Sequence, residues 1–74
     1  MKRITQVKIY QLLSDNIRQL AEKRKLGINA LADTAGVSRS QLYDVLAGSK
    51  SPTVDFLDLV AIPLKVPVYK LLTE

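Results

Sequence analysis

The sequence predicts an all-α protein, a compact five-helix bundle that forms one domain over residues 1–74. Apolar residues recur at helical spacing along most of the chain, glycine occurs only at positions 27, 36 and 48, and proline is absent before Pro52. Because glycine and proline interrupt helices, their positions divide the chain into short helical segments. A chain of 74 residues is long enough for a single domain with a small core.

The first helix is predicted from about Ser14 to Lys25. Its basic run at residues 23–25 would lie in the last turn, where positive charge complements the helix dipole. The apolar residues at helical spacing are Leu13, Ile17, Leu20 and Ala21.

Residues 1–12 form an N-terminal extension for which two structures are open. The first helix could begin at about residue 6, which we favour. However, Val7 and Ile9 alternate with polar residues, a pattern that is typical of a strand.

The second helix is predicted from Ile28 to Ala35. Gly27 can serve as its N-cap, and Gly36 can supply the left-handed residue that follows the last turn. The third helix begins after Ser38, which with Gln41 forms a Ser-x-x-Gln capping box. It ends at Gly48, and its buried face would comprise Leu42, Val45 and Leu46.

The fourth helix is predicted to start with Ser51 as N-cap and Pro52 as its first residue, and to be interrupted in its last turn by Pro63. A final short helix, Val68 to Leu72, would follow Pro67. The apolar stripe of the fourth helix would comprise Val54, Leu57, Val60, Ala61 and Leu64.

The composition argues against several classes of function. Cysteine and histidine are absent, which removes disulfides, the usual metal ligands and the commonest general base. We expect no enzyme, no cofactor, no metal and no small-molecule substrate, and we interpret Asp55 and Asp58 as solvated surface charges. No secretory signal or membrane-spanning segment is evident, so no membrane partner and a cytoplasmic location are expected.

Positive charge is concentrated at the start of the chain, and this distribution favours a polyanion as partner. The net charge is +4, and residues 1–25 carry seven of the eleven Lys and Arg residues but two of the seven Asp and Glu residues. A basic excess attracts polyanions by long-range steering and by counterion release.

Residues 28–47 carry the most informative pattern, two short helices that meet at Gly36. Ala32 is small because the third helix would cross close above it, and Gly36 permits the positive φ of a sharp turn. The apolar residues that would fix the crossing are Leu31, Ala35, Val37, Leu42 and Val45. Such a crossing leaves the outer face of the third helix free.

The segment ADTAGVSRSQL, residues 32–42, resembles the XRE family of phage-repressor and Cro-like helix-turn-helix domains, whose common pattern reads LAxxxGVSxxxLxxxExG before a basic loop and a proline. The resemblance extends from about Ile17 to Leu72. It implies a lambda-repressor-like DNA-binding domain whose helix-turn-helix unit is residues 28–47. It also implies a sequence-specific, repressor-like transcriptional regulator of double-stranded DNA, with recognition helix 38–47 in the major groove. A homodimer is expected because one helix reads too few base pairs for useful specificity and operators are commonly two-fold.

The resemblance also implies which residues contact DNA. Arg39 could form two hydrogen bonds to guanine, Gln41 or Ser40 could contact adenine or a phosphate, and Asp44 could accept from cytosine. Lys50 matches a position that commonly touches the DNA backbone or an adjacent base. The full predicted set is Asn29, Ser38, Arg39, Ser40, Gln41, Tyr43, Asp44, Ser49 and Lys50.

The chain departs from the family pattern at three places, one of which is Asp44, a negative charge on the DNA face that would weaken non-specific binding. Gly27 and Ile28 stand where the family usually has Ser or Thr followed by a phosphate-binding Gln. Ala21 and Leu46 replace a pair that is often Arg in the first helix and Glu at the end of the third. Because both members are apolar here, the ion pair is absent without an unpaired buried charge, which favours an intact packed domain.

Two further questions are open at this level. The same fold could serve as a protein-interaction or dimerisation module, for example antitoxin-like, with little DNA affinity. A homodimer could form through the N-terminal segment Ile4–Tyr10 or through the C-terminal segment, although either could instead cover the core. Alternatively, Lys2, Arg3 and Lys8 could belong to a flexible arm that reaches round DNA. The C-terminal candidates are Val66, Val68, Tyr69 and Leu72.

Overall fold

The computed structural model describes the backbone of residues 2–73 and the side chains of residues 9–73. It contains α1 (Lys2–Lys23), α2 (Ile28–Ala35), α3 (Arg39–Leu46), α4 (Val54–Leu64) and a 3₁₀ helix (Val68–Leu71). None of residues 2–73 forms a strand, so the all-α class is confirmed. The predicted count of five helices is not confirmed, because residues 2–73 form four α-helices and the last element is a single 3₁₀ turn.

Helix α1 is continuous over 22 residues and includes most of the N-terminal extension. The strand alternative is therefore wrong, and the helix begins earlier than residue 6. Among the described side chains of this helix, those of residues 9–23, the first buried one is Leu13, which is 2% exposed. The helix ends at Lys23, two residues before the predicted end, and Lys25 adopts a positive φ of 55°. The side chains of Lys2, Arg3 and Lys8 lie outside the described residues, so their role as an arm stays a prediction.

Helix α4 begins two residues later than the sequence predicts. Thr53, not Ser51, is its N-cap, and the Thr53 hydroxyl accepts a hydrogen bond of 3.0 Å from the amide of Phe56. The Ser51 hydroxyl is instead hydrogen-bonded to the Tyr10 hydroxyl at 2.6 Å. The predicted apolar stripe is correct except at its first member, since Val54 is 72% exposed and Phe56 is buried in its place.

Asn16 of α1 and Arg24, the residue that follows this helix, bind the C-terminal part of the chain. Arg24 Nε donates to the carbonyl of Leu64 at 3.0 Å, which satisfies a free acceptor at the end of α4. Asn16 Nδ2 donates to the carbonyls of Leu71 and Thr73 at 2.9 and 2.8 Å. Pro63 lies inside α4, and the helix ends one residue later at Leu64, followed by Lys65 in the left-handed conformation.

One hydrophobic core holds the elements together: α2 packs against α4, α1 packs against α3, and the 3₁₀ helix packs against α1 and α4. Complete burial of an aliphatic side chain contributes about 1.5–3 kcal/mol. No helix among residues 2–73 has the length and apolar content needed to cross a membrane. The largest side chains with at most 1% exposure are Ile17, Leu31, Leu42, Val60, Leu64 and Leu71.

Candidate nucleic-acid interface

The turn between α2 and α3 has the predicted geometry. Gly36 has φ 77° and ψ 25°, the left-handed conformation, and its amide donates to the carbonyl of Asp33 at 3.3 Å. The amide of Val37 donates to the carbonyl of Ala32 at 3.0 Å. Ala32 is completely buried, as expected where two helices approach closely. The turn therefore fixes α3 on α2 through backbone hydrogen bonds and core contacts.

Helix α3 has a well-defined start. The Ser38 hydroxyl accepts a hydrogen bond of 3.2 Å from the amide of Gln41, which is one half of the predicted capping box. The helix then runs to Leu46, within the predicted bounds of 38–47.

The outer face of α3 brings several of the predicted DNA-contacting residues together. Arg39, Ser40, Gln41 and Tyr43 are exposed and Asp44 is half-buried, while Leu42, Val45 and Leu46 of the same helix are buried. Ser49 and Lys50 lie exposed in the loop after α3, and Asn29 lies exposed in the first turn of α2.

Arg39 is bound to an acidic residue that the sequence reasoning missed. Its Nε donates to Asp33 Oδ1 at 3.0 Å, and its Nη2 donates to Asp33 Oδ2 at 2.6 Å. Both side chains are 56% exposed. Hydrogen bonds from Arg39 hold the pKa of the Asp33 carboxyl below its ordinary value, and the same contact raises the pKa of Arg39. The sequence signal that could have predicted this contact is the spacing of the two residues: Asp33 precedes Arg39 by six residues, and the turn at Gly36 lies between them.

Two other contacts organise this face. The Tyr43 hydroxyl donates to Asn29 Oδ1 at 3.0 Å, so a second side-chain contact joins α3 to α2. Lys50 Nζ lies 3.6 Å from Asp44 Oδ2. The two ion pairs found among the described side chains therefore both lie on this face.

The start of α2 has basic neighbours that the sequence reasoning also missed. Arg18 and Lys25 line one open surface depression at the start of α2, which the acidic Glu22 also lines. Both basic side chains are exposed. Gly27 provides no side-chain cap for α2, so this end of the helix presents backbone amides beside two basic residues and one acidic residue.

Ala21 of α1 and Leu46 of α3, which replace the charged pair of the family pattern, are both buried, as the sequence predicts. These two residues are 1% and 6% exposed. The buried Ser14 hydroxyl donates to the Leu46 carbonyl at 2.9 Å, and Arg18 Nε donates to Ser14 Oγ at 3.4 Å. The contact between α1 and the end of α3 is therefore apolar and hydrogen-bonded.

Comparison with known proteins agrees with this architecture. A family model described as Helix-turn-helix matches residues 17–71, and the chain belongs to this XRE-type family of DNA-binding transcription regulators. Among solved structures, the chain is similar to the N-terminal DNA binding domain of SinR from Bacillus subtilis, with a TM-score of 0.81 and 29% sequence identity. The match covers 86% of this chain and 94% of the other. No curated protein sequence matches this chain.

Proposed function

We propose that this protein binds specific sequences of double-stranded DNA through the outer face of α3 and represses transcription by occupying its binding site. The observation that carries the proposal is the exposed row of polar side chains from Arg39 to Asp44 on a helix whose other face is buried. The major groove is wide enough to admit one such helix. The similar SinR domain is itself described as DNA-binding.

The residues of this face fit distinct tasks. Arg39 at the start of α3 has the donors to recognise guanine O6 and N7, and Gln41 and Ser40 have the groups to bind adenine or a phosphate. Lys50 and Ser49 are exposed in the loop after α3 and would contact the DNA backbone. The hydrogen bond between Tyr43 and Asn29 would hold α3 in a fixed orientation relative to α2 when the domain binds DNA.

Arg18 and Lys25 are proposed to replace the phosphate-binding Gln that the family usually carries at the start of α2. Both lie beside the exposed first turn of that helix, where the dipole also attracts an anion.

A homodimer is proposed because one eight-residue helix reaches few base pairs. Two copies would bind half-sites about 34 Å apart, one turn of DNA. Tyr69 and Leu72 are 62% and 41% exposed and are candidates for the contact, whereas Val66 and Val68 pack partly on the core. Sedimentation with and without a two-half-site duplex tests this proposal, and a single copy on that duplex would contradict it.

The central test is a titration of labelled duplexes at 50 and 200 mM salt, first with random sequences and then with a site selected from them. We expect binding that weakens steeply as salt rises, as phosphate contacts require. A reporter gene whose promoter overlaps the selected site should be repressed. Absence of binding at both salt concentrations would contradict the proposal.

Arg39→Ala identifies the recognition face. We expect it to weaken binding to the selected site by about 5- to 150-fold and to relax the preference at one base pair. Lys65→Asn is the control, because it removes one positive charge from the exposed end of α4 and Asn tolerates the left-handed conformation found there. Equal losses in the two variants would show that Arg39 supplies only general charge.

A second candidate function rests on the ion pairs of the same face. Since Asp33 and Asp44 offset the charges of Arg39 and Lys50, the face is less attractive to DNA than its basic residues alone suggest. The reduced positive charge of this face is the observation that favours a protein-interaction module. In that case, the protein would bind no duplex even at low salt.

A further inference from the structure

The contact between Asp33 and Arg39 joins the two helices of the helix-turn-helix unit at the face proposed to meet DNA. Both carboxylate oxygens and two guanidinium nitrogens take part, at 3.0 and 2.6 Å. Both side chains are more than half exposed, and exposed ion pairs of this kind contribute little to stability. The two-bond geometry nevertheless fixes the direction of the guanidinium plane, because parallel hydrogen bonds permit little rotation.

The hydrogen-bond donors of Arg39 can be counted. A guanidinium has five N–H groups, one on Nε and two on each terminal nitrogen. Asp33 receives one from Nε and one from Nη2. Of the remaining three, one on Nη1 and one on Nη2 point along the outer edge of the guanidinium, and the other on Nη1 points back towards Cδ. That edge can form two hydrogen bonds, as guanine O6 and N7 require.

We propose that Asp33 is a positioning residue that determines sequence specificity, because it orders Arg39 in the free protein with the outer edge available for a guanine. The inference deepens the proposed DNA-binding function and rests on it. Arg is rich in rotamers, and ordering such a side chain only upon binding reduces affinity. The negative charge of Asp33 also disfavours general phosphate contacts, so the pair lowers affinity for wrong sequences while it supports the correct one.

A different role for the same contact makes the opposite prediction. If Asp33 merely competed with DNA for Arg39, the pair would have to break on binding, and removal of Asp33 would strengthen binding to every sequence. The two roles are therefore distinguished by the direction of the change on the selected site.

The experiment measures the affinity of the full chain for its selected duplex and for a random duplex by fluorescence anisotropy. The variants are Asp33→Ala, Arg39→Ala and the double variant. Asp58→Ala is the control, because it removes another exposed carboxylate from a helix, α4, outside the candidate interface. Circular dichroism confirms that each variant is folded.

We expect Asp33→Ala to weaken binding to the selected site by about 3- to 10-fold, which is the cost of ordering one such side chain on binding. Its affinity for the random duplex should stay equal or rise, as in Asp58→Ala. The preference at the base pair that Arg39 reads should relax. In the Arg39→Ala background, Asp33→Ala should not change that preference further, because Asp33 acts through Arg39.

Two results overturn the inference alone. One is a wild-type protein that binds a preferred sequence while Asp33→Ala keeps the same preference. The other is a rise in affinity of Asp33→Ala for the selected and random duplexes alike. A wild-type protein that binds no duplex overturns both this inference and the proposed function, so the two failures are distinguishable.

Discussion

Replacement of Gly36 tests the turn on which the interface depends. Gly36 has a φ of 77°, and a Cβ built there would have no heavy atom within 4 Å. A side chain would therefore meet no clash, and its whole cost would come from the left-handed backbone. An L-residue in that conformation costs roughly 1–2 kcal/mol, and a β-branched residue costs more, about 3 kcal/mol.

Gly27 provides the matched control. It also has open space around its Cα, but its φ of −67° and ψ of 159° are accessible to any residue. For Gly27→Ala, the reduced freedom of the unfolded chain and the weaker capping by Ala oppose each other, so stability should change by less than about 1 kcal/mol. Gly36→Ala should instead lose about 1–2 kcal/mol, and Gly36→Asn should lose less because Asn tolerates the left-handed region.

Thermal unfolding followed by circular dichroism measures these differences. For a domain of this size, each kcal/mol corresponds to a shift in Tm of about 4–8 °C. We therefore expect Tm to fall by about 4–16 °C for Gly36→Ala and further for Gly36→Val. Equal melting temperatures for Gly36→Ala and Gly27→Ala would refute the reasoning, since the two sites differ in φ and not in the space available.

Three further substitutions examine the interface and its support. Lys50→Ala should weaken binding to all duplexes and flatten the salt dependence of log K by about one unit; a loss confined to one sequence would contradict a backbone contact. Ser14→Ala should lower the free energy of unfolding, measured by urea denaturation, by about 1–2 kcal/mol, because the Leu46 carbonyl loses its buried donor. The control is Ser40→Ala at an exposed site, and equal effects of the two substitutions would count against the role of this hydrogen bond. Lys65→Gly should raise Tm by a few degrees, since Lys65 has a φ of 58° at the end of α4; a lower Tm would show that the lysine side chain matters more than the backbone strain.

The helix-turn-helix unit could be predicted from the sequence almost residue by residue. The bounds of α2 and the left-handed Gly36 are confirmed, because local glycine chemistry and helical periodicity point to the same structure there. The start of α4 could not be predicted, because Ser51 and Thr53 are both good caps. The tertiary hydrogen bond between Ser51 and Tyr10, 41 residues apart, accompanies the use of Thr53.

The N-terminal extension illustrates a second limit. Alternation of apolar and polar residues over a short segment is typical of a strand. However, a strand needs a partner strand for its backbone hydrogen bonds, whereas a helix forms them within itself. Helix α1 therefore continues to Lys2 without tertiary support from a sheet.

The candidate interface was predictable in position but not in its internal contacts. The exposed or half-buried placement of residues 39–41, 43 and 44 follows from the periodicity of α3. The partner of Arg39 does not, because Asp33 becomes its neighbour only when the turn at Gly36 folds α3 back across α2. Periodicity within one helix carries no information on contacts across a turn.

The apolar and hydrogen-bonded contact between α1 and α3 has a practical consequence for the DNA-binding measurements. Of the described side chains, those that form ion pairs lie on the candidate interface around α3. The buried residues Ala21 and Leu46 are uncharged. Added salt should therefore leave the melting temperature nearly unchanged while it weakens the complex with DNA. In this chain, ionic strength acts as a selective probe: it reports on the contact with the polyanion and not on the integrity of the scaffold.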